Sequence, residues 1–195
     1  AVAASTRGGA NPAATQVTDC SGKYTFLNIS SGTYWVATAC KPLSAPAYNV
    51  GFASGDVWAE QTYGDDSTTG ALDLAARYGG INAAVSDDAA AITNSEHVAR
   101  VTLAGADVSG GDFGFSFNAI VNTRDGDDDG AANRTIQGAL RQFIQNGNAI
   151  VGTESSVFRI PTSDPGYTAV PLSYTVQPAT ALPTITDTVV LDGST

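Results

Sequence analysis

Apolar and polar residues alternate in many short runs along this chain, and only one segment holds helical spacing. Residues 24–29 (Tyr-Thr-Phe-Leu-Asn-Ile) and 33–38 (Thr-Tyr-Trp-Val-Ala-Thr) alternate on either side of Ser30-Ser31-Gly32, which predicts a hairpin. Residues 56–63, 97–103 and 112–117 alternate in the same way. In the last of these, Phe113, Phe115 and Phe117 share one face and predict a core strand. Residues 71–78 place Leu72, Ala75 and Ala76 at helical spacing and predict a short helix. The strongest helix signal is Ile136, Leu140, Phe143 and Ile144, with Asn133 or Thr135 to cap its start and Gly147 suited to a left-handed stop. Beyond it, residues 156–160, 172–176 and 188–191 read as strands separated by Pro and Gly.

Centring the hairpin on Ser30 sets Phe26 opposite Tyr34, Tyr24 opposite Val36 and Cys20 opposite Cys40. Facing residues of two strands lie within disulfide range. The sequence therefore predicts a Cys20–Cys40 bridge, worth roughly 3 kcal/mol by loop closure. Two buried free thiols are the alternative.

Composition narrows the function. The 195 residues carry a formal net charge of -10, with 19 acidic against 9 basic side chains. That balance repels phosphate backbones and anionic lipid, so nucleic-acid binding is not expected. No apolar run approaches the roughly 20 residues that span a bilayer, and membrane insertion is not expected either. Charged residues make up only 14% and glycines number 21, which suits short strands and turns. The chain opens on Ala1 with no charged and apolar leader and contains no Met, and so reads as a processed or excised piece of a secreted protein.

One segment carries metal chemistry. Asp125, Asp127 and Asp129, with Gly126 and Gly130, match the first half of a calcium-binding loop, because alternate oxygens followed by Gly let the backbone curl round Ca²⁺. The twelfth position is Ile136, not the bidentate Glu of the full motif, and the competing reading is a solvated acidic loop before the helix. Asp65-Asp66 and Asp87-Asp88 are weaker candidates, readable as turns. His97 is the single histidine and lacks a surrounding motif, so it reads as a packing or surface residue. No Gly-x-Ser-x-Gly or Walker loop occurs, and catalysis is not expected. Trp35 and Trp58 lie in predicted strands, where they pack between layers or offer a surface for sugars.

The run from Asp19 to Val36, with its Gly22-x-Tyr24-x-Phe26 and Gly32-x-Tyr34-x-Val36 halves, resembles the B-type repeat of bacterial surface adhesins. Asp112-Phe113-Gly114-Phe115 resembles the closing strand of the same family. The resemblance implies a prealbumin-like or Ig-like β-sandwich over residues 1–118, although the Ala-rich start supplies the strand preceding the hairpin poorly. Residues 135–149, then Phe158-Arg159-Ile160-Pro161, then residues 182–193, resemble the capping helix and first coil of parallel β-helix regions in large bacterial surface proteins. That implies a second, helix-capped β segment over residues 119–195.

Together these readings predict a mainly β fold: a sandwich plus a smaller β segment with one amphipathic helix. The expected role is structural, in a secreted or surface-attached bacterial protein, with other surface proteins or glycans as further partners. A sandwich short of a strand would leave an edge, and Thr188-Val189-Val190-Leu191 is a candidate to fill it in a second copy, giving a homo-oligomer or fibre. A carbohydrate-binding or carbohydrate-active β-helix fragment is the rival reading.

Overall fold

The computed structural model describes residues 2–5, 14–40, 42–65, 74–80, 96–124 and 137–193. Among these residues the fold is mainly β, built of small sheets with one α-helix. The largest sheet comprises β1 (Val2–Ser5), β2 (Ala14–Gln16), β3 (Gly32–Thr38) and β6 (Val98–Leu103), in the order β2-β1-β3-β6. A three-stranded sheet holds β4 (Glu60–Asp65), β5 (Leu74–Ala76) and β7 (Gly114–Ser116), in the order β5-β4-β7.

The predicted hairpin is not formed. Only its second half is a strand, and both edges of β3 are taken, by β1 on one side and β6 on the other. The register with β6 sets Tyr34 against Val101 and Val36 against Ala99. Tyr24 and Phe26 cover this face as non-strand residues, packing with Val101 and Phe113 around the buried Val36. Trp35 lies on the other face, against Ala37 and Val98. The Ala-rich start thus does supply a neighbour for β3, through β1, and the vacant edge expected there is filled within the chain.

The disulfide fails with the hairpin. Cys20 is exposed on a turn that Asp19 closes, its Oδ1 accepting the backbone N–H groups of Ser21 and Lys23 at 2.8 and 2.9 Å. Cys40 is buried, two residues past the end of β3, and neither cysteine is in a disulfide. The facing-strand geometry that a bridge requires never arises.

Two further expectations change. Leu74–Ala76, expected in a helix, forms an antiparallel strand with β4, because three small or apolar residues fit a pleated edge as readily as a helix face. Gly114–Ser116 lies at the edge of its sheet, and its flanking phenylalanines are half-buried instead of central.

The second half of the chain is layered. β8 (Ala119–Ile120) pairs in parallel with β10 (Val157–Phe158), and β9 (Glu154–Ser155) pairs in parallel with β13 (Val189–Val190). β11 (Tyr167–Ala169) and β12 (Leu172–Tyr174) form an antiparallel excursion between them. Helix α1 (Leu140–Ala149) closes this layer, burying Phe143 and Ile144 against Ile120, with Phe158, Leu182 and Val189 at the margin. The helix starts later than the sequence suggested, at an N-cap Ala139 that offers no side-chain cap. Gly147 does not stop it. That glycine is inside the helix, where a Cβ would lie 2.7 Å from Val189 Cγ1, so its smallness lets β13 approach.

Candidate functional site

Residues 57–61 run from the first part of the chain toward the helix and are all buried. An apolar start, Val57-Trp58-Ala59, leads into Glu60 and Gln61 at the beginning of β4. Burial on successive residues means that both faces of the strand are covered there. Just beyond, the β4–β7 register shifts between Gln61 and Tyr63, a local irregularity of the kind that re-aims side chains.

Opposite Glu60 stand Glu96 and His97, at the head of β6. Thr38 N–H donates to the His97 carbonyl at 2.9 Å, which extends the β3–β6 ladder and brings Cys40, just past β3, beside the imidazole. His97 Nε2 lies 3.1 Å from Glu60 Oε1 and 3.3 Å from Glu96 Oε1. His97 and Glu96 are fully buried and Glu60 nearly so. Phe115 presents its ring edge-on to His97, 5.2 Å between centroids. Gly80 closes the other side: at φ +60 it sits where a Cβ would fall 2.5 Å from the Glu96 carbonyl oxygen.

The fourth wall comes from the second half of the chain. The Cys40 thiol donates to Gln137 Oε1 at 3.2 Å, and Trp58 Nε1 donates to Cys40 Sγ at 2.6 Å. Gly138, at φ +66, leaves room for Glu60: a Cβ there would lie 2.8 Å from Glu60 Oε2 and 2.3 Å from Val121 Cγ2. The Gly138 carbonyl accepts the N–H of Val121 at 2.8 Å, and Asn122 Nδ2 donates to the Gln137 carbonyl at 2.6 Å, so the wall is pinned to the end of β8.

Burial alone would pull the His97 pKa down, since it disfavours the imidazolium. Hydrogen bonds with Cys40, Glu60 and Glu96, and the negative charge of Glu60, outweigh burial and hold His97 well above its ordinary value. A cation is therefore favoured at this point. Glu60, Glu96 and His97 each offer one ligand atom, and these atoms all lie within 4.8 Å of one another.

A second buried network lies at the other end of residues 57–61. Asn146 Nδ2 donates to the carbonyls of Trp58 and Phe117 at 2.9 and 2.8 Å, while its Oδ1 accepts the Trp58 N–H at 2.9 Å and Gln142 Nε2 at 3.0 Å. One amide thus binds both backbone groups of Trp58, as a neighbouring strand would. On the same helix, Asn148 does likewise for the later chain, donating to the Thr184 carbonyl and accepting the Thr186 N–H. Arg141 reaches the carbonyls of Thr180 and Ala181 at 3.0 and 2.8 Å. Asn49 adds a tie at the helix end, donating to Asp187 Oδ2 at 2.5 Å, and that bond is the main cause holding the Asp187 carboxyl below its usual range. Contacts thus cross freely between the segments drawn as 1–118 and 119–195.

Among the described residues, the candidates read from sequence are not brought together. Cys20 and Cys40 are separate, as described. Thr188-Val189-Val190-Leu191 is engaged in its own chain, with Glu154 N–H donating to the Thr188 carbonyl and Ser156 N–H to the Val190 carbonyl. Asp125, Asp127 and Asp129, like Asp66, Asp87 and Asp88, lie outside the described residues. Trp58 is buried and offers no sugar-binding face, and Trp35 is half-buried. Sequence reasoning treated His97 in isolation and missed Glu60 and Glu96. One signal was available: in a chain with few charges, Glu60 follows an unbroken apolar triplet on a strand, and Glu96 directly precedes the single histidine.

No family model matches the chain, and no solved structure matches it.

Proposed function

We propose that this chain is an extracellular structural module of a bacterial surface or matrix protein, in which a β-sandwich leads into the capped start of a parallel β-helix. One observation carries the reading: two parallel strand pairs, β8 with β10 and β9 with β13, lie under a single helix whose apolar face packs on them. Parallel partners more than 30 residues apart in sequence are what a coil produces when it returns over itself. The sandwich reading is supported by β3, whose two faces are both packed, against Tyr24 and Phe26 on one side and around Trp35 on the other.

The module has a growth edge. Among the described residues β13 has one neighbour, β9, and Val190 and Leu191 beside its outer edge are 45% and 49% exposed. A further strand added there, from the next coil or from a second copy, would extend the layer. Assembly thus proceeds by adding strands to β13, not by donating it into the first sheet, where β1 already sits.

Size-exclusion chromatography across a concentration series, with negative-stain imaging, tests this. Concentration-dependent oligomers or filaments are expected, lost in a Val190→Lys, Leu191→Lys double variant that keeps its circular dichroism spectrum, because edge lysines block strand addition. A monomer at all concentrations, or assembly unaffected by the lysines, counts against the growth edge. Turnover of an acidic polysaccharide by the purified chain would overturn the structural role itself.

A further inference from the structure

The cluster of Glu60, Glu96 and His97 plays no part in the strand-layer reading. Both carboxylates contact the same imidazole nitrogen, and one Nε2–H cannot satisfy two acceptors well. All three residues are buried, and two carboxylates gathered on one buried imidazole favour a cation among them.

The geometry agrees. Ligands bound tetrahedrally at ~2.0–2.1 Å are themselves about 3.3 Å apart, which the two Nε2-to-Oε1 separations approach. Independently, Glu60 Oε2 is buried without a hydrogen-bond partner among the described residues, as is Gln137 Nε2 on the adjoining wall. A buried carboxylate oxygen left over beside a histidine is a free valence for a metal. Gly138, whose missing side chain leaves Glu60 Oε2 uncrowded, keeps that oxygen available.

We infer that Glu60, Glu96 and His97 form a buried structural site for a borderline divalent transition metal, zinc above all. One imidazole with two carboxylates suits zinc, whereas calcium takes six to eight oxygens and disfavours imidazole. Glu60 comes from the three-stranded sheet and His97 precedes a strand of the larger one, so the ion would staple the two sheets together. Cys40 stands beside the imidazole, but its thiol is engaged by Gln137 and Trp58 and is not a ligand.

The test uses the purified chain stripped of metal, reloaded with zinc chloride and measured by elemental analysis, calorimetry and thermal melting. One zinc per chain and a raised Tm are expected. Cobalt in its place should show nitrogen and oxygen ligation without a thiolate charge-transfer band. Loss of a mere outer-shell partner weakens metal sites ~10–100-fold, so Glu96→Gln should weaken zinc by roughly 100-fold or more. Failure of the parent to bind zinc overturns the inference. So does zinc binding that Glu96→Gln leaves intact, which would put the ion elsewhere, or a thiolate band from cobalt. Because Glu96→Gln keeps the shape of the side chain and the cobalt spectrum needs no variant, a His97 variant that fails to fold does not affect the outcome.

Discussion

Asn146 and Glu60 are both buried polar side chains, and both touch the run 57–61, yet they are finished differently. The Asn146 amide makes four hydrogen bonds and leaves no donor or acceptor over. Glu60 has one oxygen on His97 and one without a partner among the described residues. A neutral amide brought into a dry interior needs only matching donors and acceptors, and then it fixes the geometry of what it joins. A buried carboxylate also needs opposite charge, which the proposed ion would bring to Glu60. The first network is complete as a joint between two parts of the fold, and the second keeps Glu60 Oε2 for the ion.

The largest effect should come from breaking the complete network. Asn146→Ala takes away four hydrogen bonds and removes a partner from the backbone of Trp58 and Phe117, at a cost of about 4 kcal/mol. Urea unfolding measures it. A loss under about 1 kcal/mol would mean that water or a shifted side chain replaces the amide, and the contrast with Glu60 would collapse.

Gly138→Ala comes next and probes the wall of the second network. The new Cβ meets Val121 and Glu60 Oε2 at a position with φ +66, so both crowding and backbone strain oppose it. About 2–3 kcal/mol of stability should be lost. Unchanged stability on thermal melting would show that Glu60 moves freely, which a prepared ligand oxygen should not.

The smallest effect lies in neither network and serves as their control. Tyr24 is pushed up to about 12, by burial first and by the charge of Asp112 second. Its hydroxyl donates to the Gly111 carbonyl. With the folded value above the unfolded value near 10, the folded state holds the phenol proton longer, so this contribution is whole below about pH 10 and is lost as pH rises through about 12. Part of the ring is exposed, so solvent screening limits the contribution to no more than about 2 kcal/mol. A phenolate absorbance phase near pH 12, absent in Tyr24→Phe, is the expected signature, and identical titrations in the two proteins would refute it.

Much of the strand pattern was legible because alternation is local. Residues 33–38 and 98–103 were read nearly as they stand, since a strand half-buried on one side must alternate. The helix was legible for the same reason, in type more than in ends: its termini are set by Ala139 and by the approach of Val189 to Gly147, which spacing does not encode. The hairpin misled because residues 24–29 alternate as well as any strand, but β1 and β6 compete for the edges of β3 and win them. The candidate site was scarcely legible. Its members come from four places in the chain, and nothing in the spacing of Cys40, Glu60, Glu96 and Gln137 marks them as neighbours.

What the sequence determined by itself, then, is the class: scarce charge, abundant glycine and period-two alternation specify many short strands and one amphipathic helix, because these depend on each residue and its near neighbours. Only the tertiary structure decided which strands pair, that Cys20 and Cys40 stay apart, and that Glu60, Glu96 and His97 share one dry space. Those outcomes depend on edges and cavities that exist only once distant segments have packed, and burial there turns an ordinary histidine and two ordinary glutamates into a candidate metal site.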